Sequence, residues 1–135
     1  MNETTDGELN FLLKDIPDFH GCHNKDIKQI KNGYTIINLN GSSHWTAIAR
    51  NGNEFFYMDS YAVVPPQHIS DLMKDYVYNT KCLQAINSSS CGFYCVAFIK
   101  YMHKHGNDLI SFNDFLDHFT DKYQKNELVL KNLLK

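Results

Sequence analysis

Leu9, Leu12, Leu13 and Ile16 recur at helical spacing, and Thr5 and Glu8 stand just ahead of them three residues apart. This pattern predicts a helix over about Asp6–Lys14 with a capping box at its start, broken by Pro17. Asp18 to Asn32 is polar and without period, and reads as a loop with a short turn. Three β-branched and aromatic runs follow, Tyr34–Leu39, Trp45–Ala49 and Glu54–Met58, each with the character of a strand. Asn51-Gly52, between the last two, is a strong hairpin signal. Beyond Pro65-Pro66, Ile69, Leu72, Met73 and Tyr76 form one apolar side of a helix over Gln67–Val77, and Lys81–Ile86 reads as a short strand. Ser88-Ser89-Ser90 then precedes Cys91–Lys104, an apolar run long enough for a buried helix, which Gly106 ends. Two amphipathic helical stretches close the chain, around Phe112, Phe115, Leu116 and Phe119, and around Leu128, Leu130, Leu133 and Leu134. There is no internal repeat and no linker. The order predicts an α+β domain: a small, mostly antiparallel sheet against a central helix that starts at Cys91, with further helices flanking it.

The chain of 135 residues is sized for one domain, 1–135, and 43% hydrophobic residues with 13% aromatics suffice for a real core. A formal charge of −2 announces no basic field for nucleic acid. No apolar run approaches the roughly 20 residues that span a bilayer, and Met1–Leu9 lacks a signal-peptide core, so the expectation is a soluble intracellular protein. Four cysteines, Cys22, Cys82, Cys91 and Cys95, are too few for a disulfide scaffold. His20, Cys22 and His23 lack the second ligand pair that zinc sites usually show, so this stretch reads as a polar loop with a half-buried thiol and no metal is expected.

Cys91 is where chemistry enters. It opens a helix after three potential capping serines, at the positive end of the helix dipole, which favours the thiolate. By position alone it is equally readable as one more buried cysteine, like Cys95 four residues on. His44 changes the balance. With Asn51-Gly52 at the centre of a two-residue turn, His44 faces Asp59 across the hairpin, at about the 4.5–5.5 Å separation of directly opposed residues. A carboxylate there fixes the tautomer and leaves the second imidazole nitrogen as a base. A three-residue turn would shift this register, and a plain cross-strand surface pair is the competing reading. Cys, His and Asp together supply nucleophile, base and orienter. The amide of Cys91 and the side chain of Gln84 are candidate donors to an oxyanion.

At these residues the sequence resembles the adenovirus-type (adenain-like) cysteine proteases, of the clan shared with the SUMO-specific proteases. The resemblance runs through Ile36–Asn40, Gly41-Ser42-Ser43-His44-Trp45, Tyr57-Met58-Asp59-Ser60, and Gln84 through Ser90-Cys91-Gly92. The clan's chain order of His, acidic residue, Gln and Cys is filled throughout, with His-Trp and Cys-Gly as adjacent pairs. Upstream, Ile16-Pro17 and Phe19-His20-Gly21 with Asp26 are similar to the viral branch. The likeness covers about Ile16–Met102, and the tail from Asn107 has no counterpart. The seven-residue step from Gln84 to Cys91 and the small size point to the proteases of adenoviruses, virophages and Polinton/Maverick-type elements. One departure stands out: the family often has a glycine two or three residues after the acidic member, where this chain has Asp59-Ser60-Tyr61-Ala62.

The resemblance implies a thiol endopeptidase in which Cys91 attacks a peptide carbonyl and His44 takes and returns the proton. In it Asp59 orients His44, and Gln84 with the Cys91 amide holds the oxyanion. It implies small residues, often glycine, at the cleaved bond, and capsid or virion precursor polypeptides as substrates. It places the enzyme at the virus-assembly site of the host cell and in the virion. A monomer is expected, with no cofactor; nothing in the sequence supports the peptide or DNA activator of the adenoviral enzymes. A ubiquitin-like or SUMO-type isopeptidase and a catalytically silent interaction domain are the alternatives.

Overall fold

A computed structural model describes residues 3–39, 44–85 and 88–135. Expectations for Asn40, Gly41-Ser42-Ser43 and Ile86 lie outside those residues. Thr5 caps the first helix, α1 (Asp6–Leu12), and the reciprocal bond from the Thr5 amide to the Glu8 carboxylate completes the predicted capping box. The sheet follows, with β1 (Phe19–Asn24), β2 (Gly33–Asn38), β3 (Trp45–Asn51) and β4 (Glu54–Met58). After helix α2 (Gln67–Met73) comes a two-residue strand, β5 (Val77–Tyr78). Helices α3 (Cys91–His105), α4 (Leu109–Asp117) and α5 (Tyr123–Leu133) complete the chain.

The five strands stand in the order β1-β2-β3-β4-β5. The long central ladders, β2 with β3 and β3 with β4, are antiparallel, and the edge strands join in parallel. This is the α+β arrangement expected, because both faces of the central strands are covered. Ile36, Ala47, Ala49, Phe56 and Met58 face a large core with α3 at its centre. Ile37, Ile48, Phe55 and Tyr57 face a smaller one closed by Ile69 and Met73 of α2. Strands buried on both faces read as near-continuous apolar runs, which made them legible. Helix α3 is apolar nearly all round because β3, α1, α4 and α5 surround it.

Three expectations fail. The stretch read as a loop from Asp18 holds β1, a half-buried edge strand with an irregular register between Phe19 and Cys22 and Gly21 at φ 89°. An edge strand of that exposure has no apolar alternation to betray it. The helix expected through Val77 ends at Met73, where Lys74 takes φ 66°, and Val77 joins the sheet. Lys81 to Ala85 is not a strand; the amides of Leu83 and Gln84 both converge on the Ser60 carbonyl (2.7 and 3.4 Å).

The hairpin is shifted too. Asn51 pairs with Glu54 and Ala47 with Met58, so the turn is Gly52-Asn53, with Gly52 at φ 62°. Glycine at the first central position is what a II′ turn requires. The slip is two residues, so every side chain keeps its predicted face.

Close approach fixes the start of α3. A Cβ on Gly92 would lie 1.8 Å from Thr4 Oγ1 and 3.1 Å from Thr4 Cβ. Thr4 is itself held, its carbonyl accepting from Trp45 Nε1 at 3.2 Å. Gly92→Ala is therefore expected to lower the unfolding free energy by about 1–3 kcal/mol through overpacking. Thr4→Ala in the same chain should recover part of that loss in urea titrations, since it removes the atom that is struck.

Candidate active site

Cys91 is the first residue of α3 and is 4% exposed. The Trp45 amide donates to its sulfur at 3.5 Å, so the nucleophile candidate meets both the helix dipole and a backbone N–H of β3. His44 immediately precedes that amide, and its carbonyl accepts from Leu39 N at 2.9 Å, which prolongs the β2–β3 ladder. His44 Nε2 donates to Asp59 Oδ2 at 3.0 Å. A carboxylate accepts only, so the proton is assigned to Nε2 and the neutral ring has its lone pair on Nδ1. Nδ1 is buried and makes no hydrogen bond of normal geometry, although Cys91 is close enough to act on the ring's charge.

Asp59 is fully buried and follows β4. Its Oδ1 accepts from Tyr61 N at 2.8 Å. Its amide donates to Asn79 Oδ1 (3.0 Å), and its carbonyl accepts from Asn79 Nδ2 (2.6 Å). The shifted hairpin makes His44 and Asp59 diagonal rather than direct neighbours. Continuing the ladder brings Tyr61 opposite His44, and the two rings lie 5.1 Å apart at 33°. The diagonal is within reach of long side chains, so the slip preserves the pair.

Burial alone would lower the His44 pKa. The hydrogen bond and charge of Asp59, with the nearby Cys91, outweigh it and raise the imidazole from 6.5 to about 9. That shift favours the imidazolium form near neutral pH. Burial, helped by the Asp6 charge, pushes Cys22 up to about 12, and burial pushes Cys95 well above its ordinary value.

Gln84 is almost fully buried beside this pair. Its Oε1 accepts from Ser60 Oγ, and its Nε2 donates to Tyr61 Oη and to the Ser88 carbonyl, both at 3.1 Å. Tyr61 Oη donates to the same Ser88 carbonyl at 2.8 Å. Burial and the nearby charges of Cys91 and Asp59 push the Tyr61 phenol up, so it remains a donor. The four residues read from the sequence, His44, Asp59, Gln84 and Cys91, thus gather in one place. A cavity of about 990 Å³ opens onto His44, Asp59 and Gln84, walled by Leu39, Val63 and Pro66.

Sequence reasoning missed Asn79 and Tyr61. Asn79 carried no signal, because its partner is backbone. Tyr61 sits in the departing run, and the turn there is kept without glycine: Ala62 takes φ 60° and its amide donates to the Asp59 carbonyl at 2.8 Å. The expected serine cap on α3 is absent, since the Ser90 side chain makes no cap and turns to Glu127 instead. His20 and His23 spend their Nε2 atoms on the carbonyls of Asn32 (2.5 Å) and His20 (2.8 Å). Among the described residues no three His, Cys, Asp or Glu side chains stand where they could share a metal ion. None of the described helices is long and apolar enough to cross a membrane.

If the Cys91–His44 pair turns over substrate, imidazolium is the form that protonates a leaving amine. The alkaline limb of kcat/KM is then expected near pH 9. Asp59→Asn removes the carboxylate that raises His44, so this limb should move to lower pH while kcat falls by about 10²–10⁴-fold. A pH–rate profile of both proteins measures it; an alkaline limb that stays in place would show that Asp59 does not set the charge on His44.

No family model matches the sequence, and no curated protein matches it. Among solved structures, the crystal structure of the ASFV pS273R protease matches 98% of this chain with a TM-score of 0.62 at 15% sequence identity. The chain spans 66% of the length of that protein. What the two share is the fold: a mixed sheet with a central helix and flanking helices, in the arrangement of a protease.

Proposed function

We propose that this chain is a cysteine endopeptidase that processes viral capsid or other virion precursor polypeptides at small-residue, glycine-type sites. The observation that carries the reading is the buried Cys91–His44–Asp59 arrangement, with Gln84 beside it. The protease fold of the structural neighbour and the motif order favour it as well. A nucleophile only 4% exposed, with Trp45 packed against it, favours a slender peptide over one with bulky side chains at the cleaved bond. On this reading the enzyme works as a monomer inside the infected cell and in the virion.

In the proposed reaction Cys91, its proton having passed to His44, bonds through sulfur to the scissile carbonyl carbon, and the carbonyl π pair moves to oxygen as the negative charge. Gln84 and the Cys91 amide stabilise that oxygen. The Gln84 amide hydrogens are directed at Tyr61 Oη and the Ser88 carbonyl, so one of these acceptors yields its place to the oxyanion. His44 then gives its proton to the departing amine, leaving a thioester. Water, deprotonated by His44, attacks the thioester and releases the acid and the thiolate.

The test sets wild type beside Cys91→Ala and Gln84→Ala on glycine-containing precursor peptides, capsid precursors and ubiquitin-like fusions. Capsid and peptide cleavage should vanish in Cys91→Ala and lose about 10²–10³ in kcat in Gln84→Ala. A thiol probe should label Cys91 ahead of Cys22 and Cys95. Preferred cleavage of the ubiquitin-like fusions would replace the precursor substrates with isopeptidase chemistry. No cleavage, with Cys91 labelled no faster than a free thiol, would overturn the protease reading.

A further inference from the structure

The last two helices lie outside the stretch whose sequence resembles the viral proteases, yet polar side chains of α5 reach both segments that would carry the oxyanion donors. Glu127, in α5, accepts at one oxygen from two hydroxyls: Ser88 Oγ at 3.1 Å and Ser90 Oγ at 2.9 Å. These serines flank the turn into Cys91. Ser90 is fully buried, and its amide donates to Ser88 Oγ at 3.3 Å. One position earlier, Asn126 donates from Nδ2 to the Leu83 carbonyl at 2.9 Å, immediately before Gln84. The same amide closes the α4–α5 connection, donating to the Thr120 carbonyl (2.7 Å) and accepting from Thr120 N (2.9 Å). In return Lys81 Nζ reaches the carbonyls of Leu116 (3.0 Å) and Phe119 (3.1 Å).

Packing α5 needs none of this. Leu130 is already buried in the main core, with Val129, Leu133 and Leu134 against it. The carboxylate of Glu127 is a costly way to cover apolar surface, because its second oxygen, Oε2, is buried without a hydrogen-bond partner. What it gains is hold on one loop. Ser88, whose hydroxyl Glu127 fixes, also presents the carbonyl that receives Gln84 Nε2 and Tyr61 Oη.

We propose that Glu127 is a positioning residue: through Ser88 and Ser90 it sets the Cys91 end of α3 against Gln84, so that the C-terminal helix completes the active site from outside. The proposal rests on the protease reading above and makes Glu127 touch neither substrate nor reacting atoms. A displacement of the nucleophile loop of the order of 1 Å is enough to lower turnover severely.

The test uses the full chain with Glu127→Ala, Glu127→Gln and, as a stability control, Asp108→Ala. Asp108 caps α4 by accepting from Ser111 N at 2.9 Å, so its loss loosens the tail without touching the loop. Glu127→Ala is expected to lower kcat about tenfold or more with KM within about twofold. Glu127→Gln keeps an acceptor oxygen and should restore most of the rate, and Asp108→Ala should lower Tm with kcat unchanged. Amide hydrogen exchange at residues 88–92 should quicken in Glu127→Ala and stay at the wild-type rate in Asp108→Ala. Exchange needs no substrate, so a wild type that cleaves nothing would sink the protease reading while this measurement still judges Glu127. Unchanged exchange at 88–92, or Glu127→Gln as impaired as Glu127→Ala, would overturn the proposal.

Discussion

The seating of α3 on β3 is the constraint on which the site depends. Cys91 opens the helix and His44 precedes the strand, so the separation of the two side chains is set by how closely the two backbones lie. The sequence keeps that gap small. Ala47 and Ala49 face the helix from β3, Gly92 leaves no side chain where Thr4 passes, and Trp45 directs its amide at the sulfur. A larger residue at Ala47 or Ala49 would push the helix away from the strand and open the Cys91–His44 distance before it touched either residue. The remaining helices act on the same contact from behind, with Phe98 edge-on to Phe112 and Phe115 of α4.

Burying an imidazolium and a carboxylate together is costly, and hydrogen bonds to the carboxylate's remaining lone pairs offset part of that cost. Around Asp59, Tyr61 N serves one oxygen, His44 the other, and Asn79 grips the backbone on both sides. The His44 pKa is raised above its unfolded value, so its contribution to stability is fully present below about pH 6.5. It is lost as the pH rises through about 9. The charge that the proposed proton transfer requires is therefore also one the fold favours near neutral pH.

How much of this was legible follows from what each element is made of. The central strands and α3 announced themselves as near-continuous apolar runs, α1, α4 and α5 by a periodic apolar face, and the capping box at Thr5 and Glu8 is local chemistry. His44, Asp59, Gln84 and Cys91 were found together because their chain order and neighbours resemble a known constellation. The misread parts are those whose conformation is decided elsewhere. Edge strand β1 is held by its ladder to β2 rather than by buried side chains of its own. The chain after Met73 leaves the helix for a parallel pairing with β4 and for the bonds between Asn79 and Asp59. The hairpin slip did no harm to the site because two residues is a full period of the strand. A slip of one would have turned His44 or Asp59 to the opposite face.

On the proposed reading, two separate parts of the fold hold the two halves of the chemistry. The proton-transfer half, His44 with Asp59, is built on the central hairpin and locked by Asn79. The oxyanion half, Gln84 with the start of α3, sits on irregular backbone that makes no ladder of its own and must borrow rigidity. Its partners are the Tyr61 hydroxyl, Asn126 and Glu127. Irregular backbone can present amide donors that a strand or helix interior would consume, and that freedom explains why such a segment needs polar anchors from a distant helix. The tail shows no motif because its contribution lies in three or four polar contacts whose partners are backbone or serine. Such contacts constrain geometry strongly and residue identity along the chain hardly at all.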